Sequence, residues 1–219
     1  MIKENLSEIS KKIPEHVTLI AVSKTKPISV LEEAYKAGQR HFGENKVQEL
    51  SEKHAHLPED IQWHFIGHLQ TNKVKYIASF VHLIHSVDSL KLLKEINKEA
   101  KKNNRKIDCL LQFHIAQEET KFGLSLSESK QIISSEDYKE FKNINIVGVM
   151  GMASFTDNLD LIKSEFQLLN GLFEHLQENY FSENINFKEI SMGMSNDYNL
   201  AIKEGSTMVR VGSSIFGVR

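Results

Sequence analysis

FKEISMGMSNDYNLAIKEGSTMVRVGSSIFG, residues 187–217, is the stretch on which the fold turns. An apolar strand (187–192) runs into a loop in which Gly193 permits close backbone approach. Ser195 stands as a helix N-cap, and a helix beginning near Asn196 closes at Gly205, where a left-handed residue commonly ends one. A second strand (208–212) follows, then a Gly212-Ser213-Ser214 turn and a short apolar segment. Two strands joined by a crossover helix lie parallel.

The same alternation extends back through the chain. Strand-like runs occur at 17–23, 40–43, 63–67, 83–87, 108–115 and 144–152, which with the two above makes eight. Between them, Leu93, Ile96 and Ala100 recur at helical spacing, as do Phe166, Leu169, Phe173 and Leu176, and AYKAG stops at Gly38. Eight βα units predict a closed (β/α)8 TIM barrel, with an open doubly wound sheet as the rival. Residues 3–13 form an extra helix before the first strand. Three prolines and no Gly/Ser-rich linker predict one domain, 1–219.

Composition excludes more than it selects. The chain has 219 residues, 40% hydrophobic and 26% charged, with a net charge of −2, so no global field favours nucleic acid. Lys101, Lys102, Arg105 and Lys106 form the one dense basic cluster, and a helix C-terminus accounts for them. No run approaches a membrane span, and Cys109, the single cysteine, permits no internal disulfide; both fit a cytoplasmic protein. Cys109 opens an apolar strand and reads as core. The ten histidines show no metal-ligand spacing, so no metal is expected. Met150, Met152, Met192 and Met194 are expected around the barrel mouth.

Barrel active sites lie at the C-terminal ends of the strands, and LIAVSKTKP (19–27) puts Lys24 there. A solvated surface lysine is the bland alternative. In extended backbone Lys26 would share a side with Lys24, each ammonium depressing the other's pKa, and a partly neutral amine is a Schiff-base nucleophile. Pro27 fixes the loop's exit. The glycine- and serine-bearing loops after strands seven and eight suit a phosphate. Together these predict a pocket for a phosphorylated aldehyde, which leaves a sugar-phosphate aldolase or a pyridoxal 5'-phosphate (PLP) protein. Arg210, two residues before Gly212, can face a pyridine nitrogen and only donate to it, which weakens the electron sink of PLP chemistry. A barrel-interior arginine paired with a carboxylate is the alternative.

The blocks AVSKTKP, FGENKVQE, WHFIGHLQTNK, HSVDS, ETKFG, GVMGMA, SMGMSNDY and GSTMVRVGSSIFG, in this order, resemble the YggS/PROSC family of pyridoxal phosphate homeostasis proteins. The resemblance implies an alanine racemase N-terminal-domain-like barrel that binds PLP and serves vitamin B6 homeostasis without catalysis. It implies Lys24 as the residue holding PLP as a Schiff base. Ser195 and the Met194 backbone, with Gly212 and Ser213, become phosphate ligands; Arg210 faces the pyridine nitrogen, and Asn45 is a ring-side contact. His114 stands where the family more often has asparagine. Alanine racemase adds a second domain and a catalytic tyrosine from its dimer partner. This chain ends at Arg219 soon after strand eight, which favours a reservoir or carrier, in transient contact with PLP-dependent apoenzymes, over a weak racemase; with no long heptad or exposed apolar stripe, a monomer is expected.

Overall fold

The structure, a computed structural model, describes residues 1–118 and 122–217. Glu119, Thr120 and Lys121 of the ETKFG block, and Val218 and Arg219, lie outside the described residues.

Among the described residues the chain alternates strands and helices throughout: α1 (Ile2–Ser10), β1 (Thr18–Val22), α2 (Ile28–Lys36), β2 (His41–Glu44), α3 (Val47–His56), β3 (Gln62–Phe65), a 3₁₀ turn (Thr71–Tyr76), β4 (Leu83–Val87), α4 (Leu90–Lys102), β5 (Ile107–Gln112), α5 (Leu126–Ser134), α6 (Glu136–Lys139), β6 (Ile144–Met150), α7 (Leu159–Tyr180), β7 (Glu189–Met194), α8 (Tyr198–Lys203), β8 (Met208–Val211) and α9 (Ser213–Phe216). Each strand pairs in parallel with the next, and β8 returns to β1 with Arg210 opposite Ile20, so the sheet is a closed TIM barrel. The open-sheet alternative is thereby excluded. All eight expected strands are present; only the third connection departs from expectation, as a 3₁₀ turn in place of an α-helix.

Burial occurs on both sides of the sheet. Phe42, Trp63, Phe65, Ile84, Cys109 and Val209 face outward into the layer shared with the helices. Leu93, Ile96 and Ala100 of α4 and Phe166, Leu169 and Leu176 of α7 meet them, each fully buried, as the spacing requires. A second cluster, Ile20, Leu83, Leu110, Val147, Met150 and Met208, comes from strands alone and fills the barrel interior. Gly38 and Gly205 close α2 and α8 at φ +101° and +98°, as expected of left-handed terminators.

Two details of the quoted stretch are corrected. α8 begins at Tyr198 behind Asp197, not at Asn196 behind Ser195, because β7 runs on to Met194 and leaves Ser195 in the connecting turn. Gly193, inside β7, has φ +94°, and a Cβ there would lie 2.6 Å from the Ala201 methyl, so this position admits no side chain. Met192 also departs from its expected place: it points outward into the helix layer, whereas Met150 lies inside the barrel and Met152 and Met194 face its mouth.

Candidate functional site

A pocket of about 980 Å³ opens at the C-terminal ends of the strands. Lys24, Asn45, Met194, Ser195, Arg210, Gly212 and Ser213, the residues singled out from sequence, all line it. They come from the ends of β1, β2, β7 and β8 and are separated by up to 189 positions, from Lys24 to Ser213.

Lys24 sits in a tight turn. Lys26 N–H donates to the Ser23 carbonyl at 3.0 Å, and Thr25 adopts φ +64°. The backbone is therefore not extended, and the expectation that Lys24 and Lys26 share a side through β-type alternation fails. Lys26 instead serves as a tie, its Nζ donating to the carbonyls of Phe216 and Gly217 at 3.0 and 3.2 Å and so joining the loop after β1 to the end of α9.

Beneath this turn lies a buried ionic network that sequence reading missed. Glu44, fully buried at the end of β2, accepts from Ser23 Oγ at 2.7 Å and from Lys53 Nζ at 2.6 Å. Lys53 Nζ also donates to the Ser23 carbonyl at 2.9 Å, and Thr25 N–H donates to Glu49 Oε2 at 2.8 Å. Burial pushes the Glu44 carboxyl above its usual range, against the pull of Lys53 and Ser23. Both residues flanking Lys24 are thus held by side chains from β2 and α3.

The loops after β7 and β8 are joined by a hydrogen bond from Gly212 N–H to Ser195 Oγ at 3.1 Å. A Cβ on Gly212 would stand 3.1 Å from the Val22 carbonyl, so a side chain there would press on β1. The Met194 amide donates to Asp197 Oδ1, so it must exchange that partner to serve a ligand. Asn45 Oδ1 is buried with no hydrogen-bond partner, and so has a lone pair to offer. His114, by contrast, is exposed, bonds the Glu118 carbonyl at 2.9 Å through Nε2, and does not line the pocket.

Arg210 enters the pocket floor from β8, buried, with NH1 donating to Ser191 Oγ at 2.6 Å and NH2 to the Gly151 carbonyl at 3.0 Å. Burial lowers its pKa to about 10, partly offset by Asp197, so it keeps its charge at neutral pH. Among the described residues its hydrogen bonds go to a hydroxyl and a carbonyl, and not to the carboxylate that was the alternative. Ser191 in turn contacts His85 Nδ1 at 2.9 Å, His85 Nε2 contacts His64 Nδ1 at 2.9 Å, and His64 Nε2 contacts His41 Nδ1 at 2.9 Å. This file of imidazoles runs from the pocket floor toward the opposite end of the barrel. Burial pushes His64 and His85 well below the usual imidazole range. No short motif marks the file; the available signal was strand alternation, which points one histidine from each of β2, β3 and β4 inward.

The group implied by the resemblance fits these residues. A pocket with a lysine, a buried guanidinium that only donates, an unsatisfied amide oxygen and a Ser-Gly joint offers donors for a ring nitrogen and a phosphate, and an amine for an aldehyde.

The alanine racemase N-terminal domain family matches the chain over residues 1–219. The pyridoxal phosphate homeostasis protein of Aquifex aeolicus (strain VF5) is 41% identical over 202 residues, covering 92% of this chain and 86% of that protein. Its counterpart in Escherichia coli (strain K12) is 34% identical over 239 residues, covering 100% and 97%. The structure of PipY of Synechococcus elongatus PCC7942 with PLP bound superposes with a TM-score of 0.89 at 34% identity, covering 99% of this chain and 100% of that one. Alanine racemase of Streptomyces coelicolor A3(2) gives a TM-score of 0.80 over 58% of its length at 14% identity, a likeness of fold alone.

Proposed function

Because the chain belongs to the alanine racemase N-terminal domain family and, within it, to the pyridoxal phosphate homeostasis proteins, we propose that it binds PLP and serves as an intracellular reservoir or carrier. The observation that carries this reading is the convergence of Lys24, Arg210 and the Ser195–Gly212 joint on one pocket. When bound, PLP supplies an aldehyde that a lysine amine captures and a ring that accepts electrons.

Lys24 is the residue that would hold it, presented by a turn whose two flanks are pinned by Glu44, Lys53 and Glu49. Ser195 Oγ and the Gly212 amide, now bonded to each other, would turn to the phosphate with Ser213. Arg210 donates to whatever acceptor faces it and has no proton to give up near neutral pH, since its pKa remains about 10. Asn45 would lie beside the ring.

The absence of catalysis is part of the proposal. Among the described residues lining the pocket there is no histidine, tyrosine or cysteine; Lys26 is tied to two carbonyls, and Asp197 holds the Met194 amide. The remaining carboxylate of the described lining, Asp157, is exposed in the loop between β6 and α7, so the described lining offers Lys24 no buried carboxylate, histidine or tyrosine as a second acid or base. A single buried cysteine accords with a reducing cytoplasm, and among the described residues no helix is long and apolar enough to cross a membrane.

The test has two parts. The parent should prefer PLP to pyridoxal, and Ser195→Ala should reduce that preference about tenfold, a loss of about 1.4 kcal/mol. The loaded protein, incubated with L-alanine in deuterated water, should incorporate no α-deuterium beyond free PLP. Equal affinity for both ligands would remove the phosphate assignment, and enzyme-like exchange abolished by Lys24→Ala would make the protein an enzyme.

A further inference from the structure

At the end of the barrel opposite the pocket, His41, His64 and His82 bring one imidazole nitrogen each to within 4.8 Å of the others. His41 opens β2, His64 is the third residue of β3 and His82 directly precedes β4, so the three come from adjacent strands, two of them at the N-terminal end. His64 is fully buried, while His41 and His82 are half-buried and reach solvent. Their rings approach edge-on and tilted, with centroids 5.2 Å (His41–His64), 5.3 Å (His64–His82) and 6.1 Å (His41–His82) apart. We propose that this cluster is a binding site for a divalent late transition-metal ion such as Zn²⁺, with three imidazole ligands and a fourth position open to water.

The chemistry of the donors favours it. Imidazole suits zinc, copper and nickel, and three histidines plus water form a tetrahedral zinc set. Ligand nitrogens around such an ion lie roughly 3.3 Å apart, given bonds of about 2.0–2.1 Å. The 4.8 Å spread therefore closes by rotation of the two half-buried side chains onto the fixed one. His64 is fixed because its other nitrogen, Nδ1, pairs with His85 Nε2 at 2.9 Å, and His85 Nδ1 pairs with Ser191 Oγ at 2.9 Å. A ligating histidine whose second nitrogen is held by a partner is the usual build of a metal site. Solvent reaches His41 and His82, which gives the ion a path in. Arg105 and Asp108 both act on His82 and oppose each other in sign, and the Arg105 guanidinium is already tied to the carbonyls of Ala78 and Val81.

Protons balance without any leaving. Metal on His64 Nε2 requires that proton on Nδ1, donated to His85 Nε2; His85 then carries its own on Nδ1 and donates to Ser191 Oγ. His41 ligates through Nδ1 and keeps its proton on Nε2. Occupancy would thus set the tautomer of His64 and His85 as far as the serine that receives Arg210, 2.6 Å away. The site stands whether or not the pocket holds PLP.

The experiment is calorimetric titration of chelator-treated protein with Zn²⁺, and with Co²⁺ for its visible spectrum. One equivalent should bind, with a tetrahedral Co²⁺ spectrum, and ¹⁵N shifts should move His64 and His85 to the Nδ1–H form. His82→Ala and His41→Ala should abolish this binding, His85→Gln should weaken it about ten- to a hundredfold, and His175→Ala, half-buried in α7, should leave it unchanged. Absence of saturable one-to-one binding, or binding that survives His82→Ala and His41→Ala, would reduce the cluster to a hydrogen-bonded filling of the barrel.

Discussion

Lys53 is the residue whose loss separates the packing of the site from its chemistry. Its Nζ meets Glu44 at 2.6 Å with the side chain 6% exposed and the carboxylate wholly buried. Lys53→Met removes the counter-charge and leaves Glu44 with Ser23 alone. Breaking a buried pair from one side costs about 3–5 kcal/mol. Urea denaturation should show a loss of that order, along with weaker PLP binding because the Ser23 carbonyl and the turn carrying Lys24 lose their anchor. Unchanged stability would mean that the pair contributes no net stabilisation. Strand ends and glycine turns, which are local signals, placed Lys24, Arg210 and the loops holding Ser195 and Gly212 at the pocket, whereas Asn45 came from the resemblance alone. The sequence did not disclose Glu44 and Lys53 as partners, nor the turn at Thr25, since a long-range ionic pair and a left-handed threonine leave no periodic trace.

At the scale of elements, β6 and β7 approach each other through Gly148. A Cβ at that position would fall 1.8 Å from the Glu189 carbonyl oxygen, an atom of the β7 backbone that cannot step aside. Gly148→Ala should therefore cost about 3 kcal/mol, the upper part of the usual overpacking range, and disturb the register of Gly148 with Glu189. Urea midpoints and amide exchange in β7 check this; a variant as stable as the parent would show that the strands separate easily. Strand identities were legible because an apolar run recurs in every unit, and α4 and α7 because their apolar residues keep helical spacing. The 3₁₀ turn at Thr71–Tyr76 and the late start of α8 were not, because termini depend on where a neighbouring strand stops.

For the whole molecule, the closed barrel makes stability depend on pH through groups it seals away. Cys109 is fully buried, and burial pushes its thiol well above the ordinary 9.0; Tyr138, also mainly through burial, is raised to about 12. An acid raised on folding contributes stability that is whole below its unfolded value and is lost as pH rises toward its folded one, since the unfolded chain releases a proton that the folded chain keeps. Above pH 9.0 stability should fall by up to about 1.4 kcal/mol per pH unit for the thiol alone. Cys109→Ala should flatten the profile between about pH 9 and 10, as read from urea midpoints; the same slope in both proteins would assign it elsewhere. Closure of the barrel was readable from the count of eight strands, but the line of histidines across its interior was not, because only the closed sheet brings β2, β3, β4 and β7 face to face. The central claim is that the molecule holds PLP at one lysine, and intact mass after PLP loading and borohydride reduction tests it most directly. One stable adduct on the parent, mapped to Lys24 and absent from Lys24→Ala, is the predicted result; an adduct retained by Lys24→Ala, or none on the parent, would contradict it.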